Sequence, residues 1–131
     1  MNIQFSERAT EIRYEIPFPP SINDMFSNNK GTGKGRIVSK KYKQWKNTAG
    51  FILKSQGLVE YKGRFRLYIQ LNDKRQGDCD NRIKPLCDLL VSMGVVEGDQ
   101  KKYMKGVSVD WDCVDECVVT IRPLPPIVVA E

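Results

Sequence analysis

The sequence predicts one α/β (α+β) domain in which a mixed β-sheet packs with two main helices. Strict apolar/polar alternation recurs in four short stretches, each a half-buried strand. Two stretches with helical spacing of apolar residues follow plausible N-terminal caps. The length, 131 residues, suits a single compact core and is too short for two.

Taken in order, Ile12, Tyr14 and Ile16 alternate with Arg13 and Glu15 in a first strand that stops at Pro17. Pro19-Pro20-Ser21-Ile22-Asn23 and the glycine-rich Lys30–Arg36 segment are poor in regular structure and read as loops, the second mobile without a ligand. The second is no P-loop, because Gly35 follows Lys34 where Ser or Thr is required. Ser39 caps a helix that runs to about Ser55, with Gly57 as terminator and Tyr42, Trp45, Ala49 and Ile52 as its apolar stripe. Phe65, Leu67, Ile69 and Leu71 form the strongest strand, and the polar turn Asn72–Gly77 delivers Asp78 and Asp80. A second helix spans Asp80 or Asn81 to Met93, capped by Gly94, with Pro85 in its first turn and Ile83, Leu86, Cys87, Leu90 and Val91 on its buried side. Val107, Val109 and Trp111, then Cys117, Val119 and Ile121, make two further strands, with Asp112–Asp115 as their hairpin connection. The domain is expected over 1–122, and 123–131 reads as a proline-rich C-terminal tail, either a disordered end or a segment that packs on a partner subunit.

Charge is unevenly spread. Lys and Arg number 21 against 16 Asp and Glu, a net charge of +5. Between Met25 and Val59 there is no acid, while Lys30, Lys34, Arg36, Lys40, Lys41, Lys43, Lys46 and Lys54 are basic. Alone, such a block is a solvated surface; beside a separate acidic cluster it reads as a polyanion-binding face. No apolar run is long enough to span a membrane and the N-terminus is not signal-like, so a cytoplasmic protein is expected. Cys79, Cys87, Cys113 and Cys117 lack a paired C-x-x-C spacing, and with no histidine to complete a zinc site they read as reduced thiols. The absent histidine also removes Ser-His-Asp and Cys-His chemistry.

The acidic cluster is the most informative feature. Asp78 and Asp80 point the same way on an extended backbone, and Asp80, Lys84 and Asp88 share one face of a helix at i, i+4 and i+8. That stripe alone suits ordinary ion pairs, each worth about 0.2–0.5 kcal/mol. Asp78 is superfluous to such pairs, and Asp99 adds another acid after the turn. Clustered carboxylates need a cation, and a hard ion such as Mg²⁺ or Mn²⁺ suits oxygen ligands and phosphate substrates. Such an ion can also supply what histidine would, by lowering the pKa of a bound water.

Asp78-x-Asp80-Asn81-x-x-Lys84-Pro85-x-x-Asp88-x-Leu90, then Gly94-Val95 and Asp99, resembles the RusA family of Holliday junction resolvases, small endonucleases of bacteria and their phages. Pro19-Pro20-Ser21-x-Asn23 and the basic helix opened by Ser39 resemble that family's N-terminal half. The resemblance implies a homodimer of mixed α/β fold that cuts four-way junction DNA by paired nicks. It implies that Asp78, Asp80 and Asp99 hold Mg²⁺ (or Mn²⁺), and that Lys84 is the essential lysine. Lys34, Arg36, Lys40, Lys41, Lys74, Arg75 and Asn81 are then the expected DNA-binding residues. One departure stands out: Gly98 precedes Asp99 where the family often has a second acid.

Three other readings bear on the same residues. An EF-hand fails, because Arg82, Ile83 and Leu89 occupy positions that need an oxygen ligand, glycine and glutamate. A non-catalytic DNA-binding module leaves the acids unexplained. A nuclease acting on flaps or forks differs only in substrate, which fold and metal site do not settle.

Overall fold

The computed structural model describes residues 11–28 and 36–125. Its main sheet has four strands in the order β1-β6-β4-β5: β1 (Ile12–Ile16), β4 (Phe65–Asn72), β5 (Met104–Asp112) and β6 (Cys117–Pro123). Two helices accompany it, α1 (Lys40–Ser55) and α2 (Ile83–Ser92). Mixed pairing, with β4 parallel to β5 and antiparallel to β6, gives the α+β class expected from the pattern. Among the described residues, no helix is long and apolar enough to cross a membrane.

The central strand organises the core. Phe65, Leu67, Ile69 and Leu71 are almost wholly buried, whereas Arg66, Tyr68, Gln70 and Asn72 on the opposite face are half-exposed. Against the buried row pack Ala49 and Leu53 of α1, and Leu86, Cys87, Leu89 and Leu90 of α2. Each such leucine, cut back to alanine, would cost about 2–5 kcal/mol, so this packing anchors the position of α2 and whatever α2 carries.

The first helix has the limits the sequence indicates. Ser39 Oγ accepts the Tyr42 N–H at 3.1 Å, satisfying one of the unpaired donors of the first turn. Gly57, at φ +88°, ends the run in a conformation that side chains resist. The Tyr14 hydroxyl donates to Gly57 O and accepts from the Val59 N–H, both at 2.9 Å, tying this end of α1 to β1. At the other end Trp45 Nε1 donates to Pro17 O, fixing the loop after β1 against the helix.

Three expectations change. β5 and β6 are not a hairpin: β4 lies between them, and the 113–116 segment crosses its end, where the Asn72 N–H donates to Glu116 O. Alternation assigns a residue to a face of a sheet and says nothing about which strand lies beside it. The segment around the glycine-rich loop is more regular than expected, since β2 (Phe26–Asn28) and β3 (Arg36–Val38) pair as a short antiparallel ribbon. The loop's own residues 29–35 lie outside the described residues. Finally, β6 continues through Pro123, which pairs with Phe65, and the Leu124 N–H donates to Arg64 O. The packed chain thus passes the expected boundary at 122, and the tail from residue 126 lies outside the described residues.

Candidate active site

The polar turn after β4 hands the chain to α2 through a 3-10 turn, Cys79–Arg82, and this connection carries the acids. Asp78 sits at its N-cap with extended backbone (φ −94°, ψ 133°) but makes no side-chain capping bond. Asp80 lies inside the turn. Both side chains are exposed, and neither carboxylate has a hydrogen-bond or ion-pair partner among the described residues. Asn81, half-buried, donates its backbone N–H to Asp78 O. The second helix therefore begins at Ile83, slightly later than expected, and Pro85 falls in its first turn, where the missing N–H costs nothing.

Lys84, on the first turn of α2, joins two acids. Its Nζ lies 3.2 Å from Asp88 Oδ1, one helical turn on, and 3.8 Å from Asp99 Oδ2 in the segment that leads to β5. The hydrogen bond and charge of Asp88, aided by Asp99, hold the ammonium above the ordinary lysine range, so it stays fully charged at neutral pH. Asp80 makes no ion pair with Lys84, so of the two intrahelical pairs the i, i+4 spacing allows, only Lys84–Asp88 forms. Tyr42 adds a further group here. Its hydroxyl is buried without a hydrogen-bond partner among the described residues, and burial reinforced by the negative charge of Asp88 pushes its pKa up to about 12. Burial likewise pushes the Cys87 thiol up to about 12, with Asp99 and Asp88 adding to the effect.

Gly98 explains the missing acid in steric terms. It is buried, and a Cβ built there would lie 2.7 Å from Gln100 Oε1 and 2.9 Å from Tyr103 Cδ2. The Tyr103 ring occupies the space a side chain at 98 would need. Asp99 is thus without an acid immediately before it, and the carboxylate of Glu97 accepts from the Gly63 N–H instead.

The donor set suits a hard divalent ion: exposed carboxylate oxygens of Asp78 and Asp80 without partners, and the half-buried carboxylate of Asp99. As they stand, no three acidic or cysteine side chains among the described residues converge closely enough to form a ready-made cage. The chemistry of the ligands fits, and their assembly is incomplete.

The expected DNA-binding residues fall into two groups. Lys40 and Lys41 open α1 with exposed side chains, and Lys41 pairs with Asp24 at 3.4 Å. Arg36 opens β3, and Lys34 lies outside the described residues. Lys74 and Arg75 sit in the turn after β4, where Arg75 pairs with Glu116 at 2.7 Å. Sequence reasoning missed Arg82 and Phe18. The Arg82 guanidinium bonds Pro19 O and Gln76 O and lies 5.0 Å from the Phe18 ring centre, with Arg75 at 4.8 Å from the same ring. Arg82 follows Asp80 by two residues, and that proximity was the available signal.

No family model matches the chain. Among curated proteins it is similar to the crossover junction endodeoxyribonuclease RusA of Enterobacteria phage HK97, at 27% identity over 106 residues, covering 76% of this chain and 86% of the phage protein. The chain thus resembles the RusA family over most of its length, as the acidic block indicates.

Proposed function

We propose that this protein is a metal-dependent endodeoxyribonuclease that resolves four-way DNA junctions by paired, symmetric nicks, acting as a homodimer in the cytoplasm. The observation that carries the reading is the juxtaposition of Lys84 with Asp99 from separate segments, on a helix that directly follows the turn bearing Asp78 and Asp80, whose carboxylates have no partner among the described residues. Similarity to a phage enzyme named for cutting crossover junctions supports the substrate.

Asp78, Asp80 and Asp99 would hold Mg²⁺ or Mn²⁺, which supplies charge neutralisation at the attacked phosphoryl group and a lowered pKa for a bound water. Lys84, permanently charged and steered by Asp88, stabilises negative charge that develops on the phosphate or the leaving oxygen. Asp88 keeps the ammonium aimed across the site toward Asp99. The basic first turn of α1 and the turn carrying Lys74 and Arg75 hold the DNA backbone by charge, with little reading of base sequence. A two-fold dimer presents two such sites in opposite orientation, matching the approximate two-fold symmetry of a four-way junction.

The test is cleavage of a synthetic four-way junction beside linear duplex and flap DNA of the same sequence, with Mg²⁺. Symmetric nicks confined to the junction support the reading. Equal or faster cutting of flaps would redirect it to a flap or fork nuclease, and binding without cutting in Mg²⁺ or Mn²⁺ would leave a DNA-binding module.

A further inference from the structure

Beside the acidic turn lies a cleft of about 290 Å³ whose lining includes Arg82, a residue the mechanism above does not use. Phe18, Asp24, Lys41, Trp45, Arg75 and Arg82 are among the residues that line it. Lys41 is paired with Asp24 and Arg75 with Glu116, so each of those charges is offset by a carboxylate. Arg82 differs. Its guanidinium is held by two neutral carbonyls, Pro19 O at 2.9 Å and Gln76 O at 3.2 Å, and its Nε is buried with no acceptor among the described residues. Among the described residues Arg82 is therefore the lining cation without a carboxylate partner, and its guanidinium is held over the Phe18 ring. The chain is shaped to keep it there: Gly77, at φ +114°, lies so close that a Cβ would stand 2.6 Å from Arg82 Nη2.

We propose that this cleft is a subsite for one phosphodiester of a DNA strand, with the attached sugar or base against Trp45. A phosphodiester carries a single negative charge, matching the one charge that lacks a partner, and guanidinium groups favour phosphate oxygens. The Trp45 ring suits the flanking nucleoside, since every base and sugar offers an apolar face to an aromatic ring. Arg82 is two residues from Asp80, so the phosphate held here neighbours the one presented to the acids. The proposal rests on the DNA-cleaving reading and extends it: the strand is gripped beside the scissile bond by a fixed charge as well as by the exposed lysines of α1.

The test uses the thymidine dinucleotide TpT, which contains one phosphodiester, and its neutral methylphosphonate analogue. The chain has 2 tryptophans, so a Trp111→Phe background leaves Trp45, on the cleft wall, as the sole indole reporter. Millimolar TpT in EDTA is expected to change Trp45 emission saturably, and the methylphosphonate to leave it unchanged. Arg82→Gln is expected to weaken TpT at least tenfold. Because Arg82 also braces the 76–82 segment, Lys41→Gln serves as a second variant at an exposed position and is expected to weaken TpT severalfold with the fold intact. No response to TpT, an equal response to the neutral analogue, or unchanged affinity in both variants overturns the proposal. A junction-cleavage assay on the wild-type protein in Mg²⁺ judges the DNA-cleaving reading separately: no cleavage with TpT binding retained sinks that reading and supports the cleft as a nucleotide site.

Discussion

Lys84 Nζ lies 3.8 Å from Asp99 Oδ2, although fifteen positions of chain separate the two residues. The contact exists because α2 is seated on the core by its leucines while the turn at Gly98 brings Asp99 back beside the helix's first turn. Lys84 thus makes a contact beyond the i, i+4 pair with Asp88, which would form on an isolated helix. It bridges the helix to the turn and sets a positive charge between Asp88 and Asp99.

Asp88→Asn separates those roles. The Lys84–Asp88 pair is partly exposed, so its loss is expected to cost under about 0.5 kcal/mol of stability, read as a small shift in the urea midpoint. Single-turnover cleavage of junctions is expected to fall about tenfold, equivalent to about 1.4 kcal/mol, because Lys84 is no longer held in one position. A variant that cuts at the wild-type rate would show that Asp88 is only a helix pair.

Gly98→Asp, which would restore a second acid to the turn, is expected to destabilise the protein by about 1–3 kcal/mol through overpacking against Tyr103. Gly98→Asp combined with Tyr103→Ala is expected to be less destabilising than the two single changes added together, because the ring that clashes is gone. Additive losses in denaturant melts would mean that Tyr103 is not the obstacle.

Alkaline pH is expected to destabilise the fold. Cys87 and Cys117 are pushed by burial from 9.0 up to about 12, and Tyr42 from 10.0 up to about 12. Raised folded values mean that the unfolded chain loses these protons first, so the associated stability is complete below about pH 9 and declines as pH rises toward 12. Urea midpoints should be flat from pH 7 to 8.5 and then fall. In native protein at pH 8, exposed Cys113 should react with a thiol reagent far faster than Cys87 or Cys117. Rapid labelling of all four thiols in the native state would contradict this burial.

Replacing Lys40 and Lys41 by Ala is expected to weaken binding to junctions of any sequence and to flatten the salt dependence by about 0.9 for each phosphate no longer neutralised. Lys41 should contribute the smaller share, since Asp24 already offsets part of its charge. An unchanged slope in a titration from low to moderate salt would make the opening of α1 a solvated surface.

Much of this was legible in the residues. Ser39 announces a helix start because its hydroxyl satisfies a local donor, and β4 announces itself because alternation is a property of a single strand. The Lys84–Asp88 pair was legible from its i, i+4 spacing alone. What stayed hidden depends on distant segments. The insertion of β4 between β5 and β6 is set by pairing across the whole sheet. The burial of Gly98 depends on where Tyr103 packs, and the course of Arg82 on carbonyls at Pro19 and Gln76. The short β2–β3 ribbon escaped because three-residue strands carry too little pattern to detect.

The central claim is that the acids serve chemistry rather than folding, and Asp80→Asn tests it most directly. The substitution keeps the shape of an exposed side chain that has no partner among the described residues, and removes the charge that would hold an ion. On protein shown by circular dichroism to be folded, junction cleavage in Mg²⁺ is expected to fall by at least about a hundredfold, or about 2.7 kcal/mol. Junction affinity by gel shift in EDTA is expected to stay the same or rise, because a carboxylate that repels the phosphate has gone. Cleavage at the wild-type rate, or loss of binding together with loss of fold, would contradict the account.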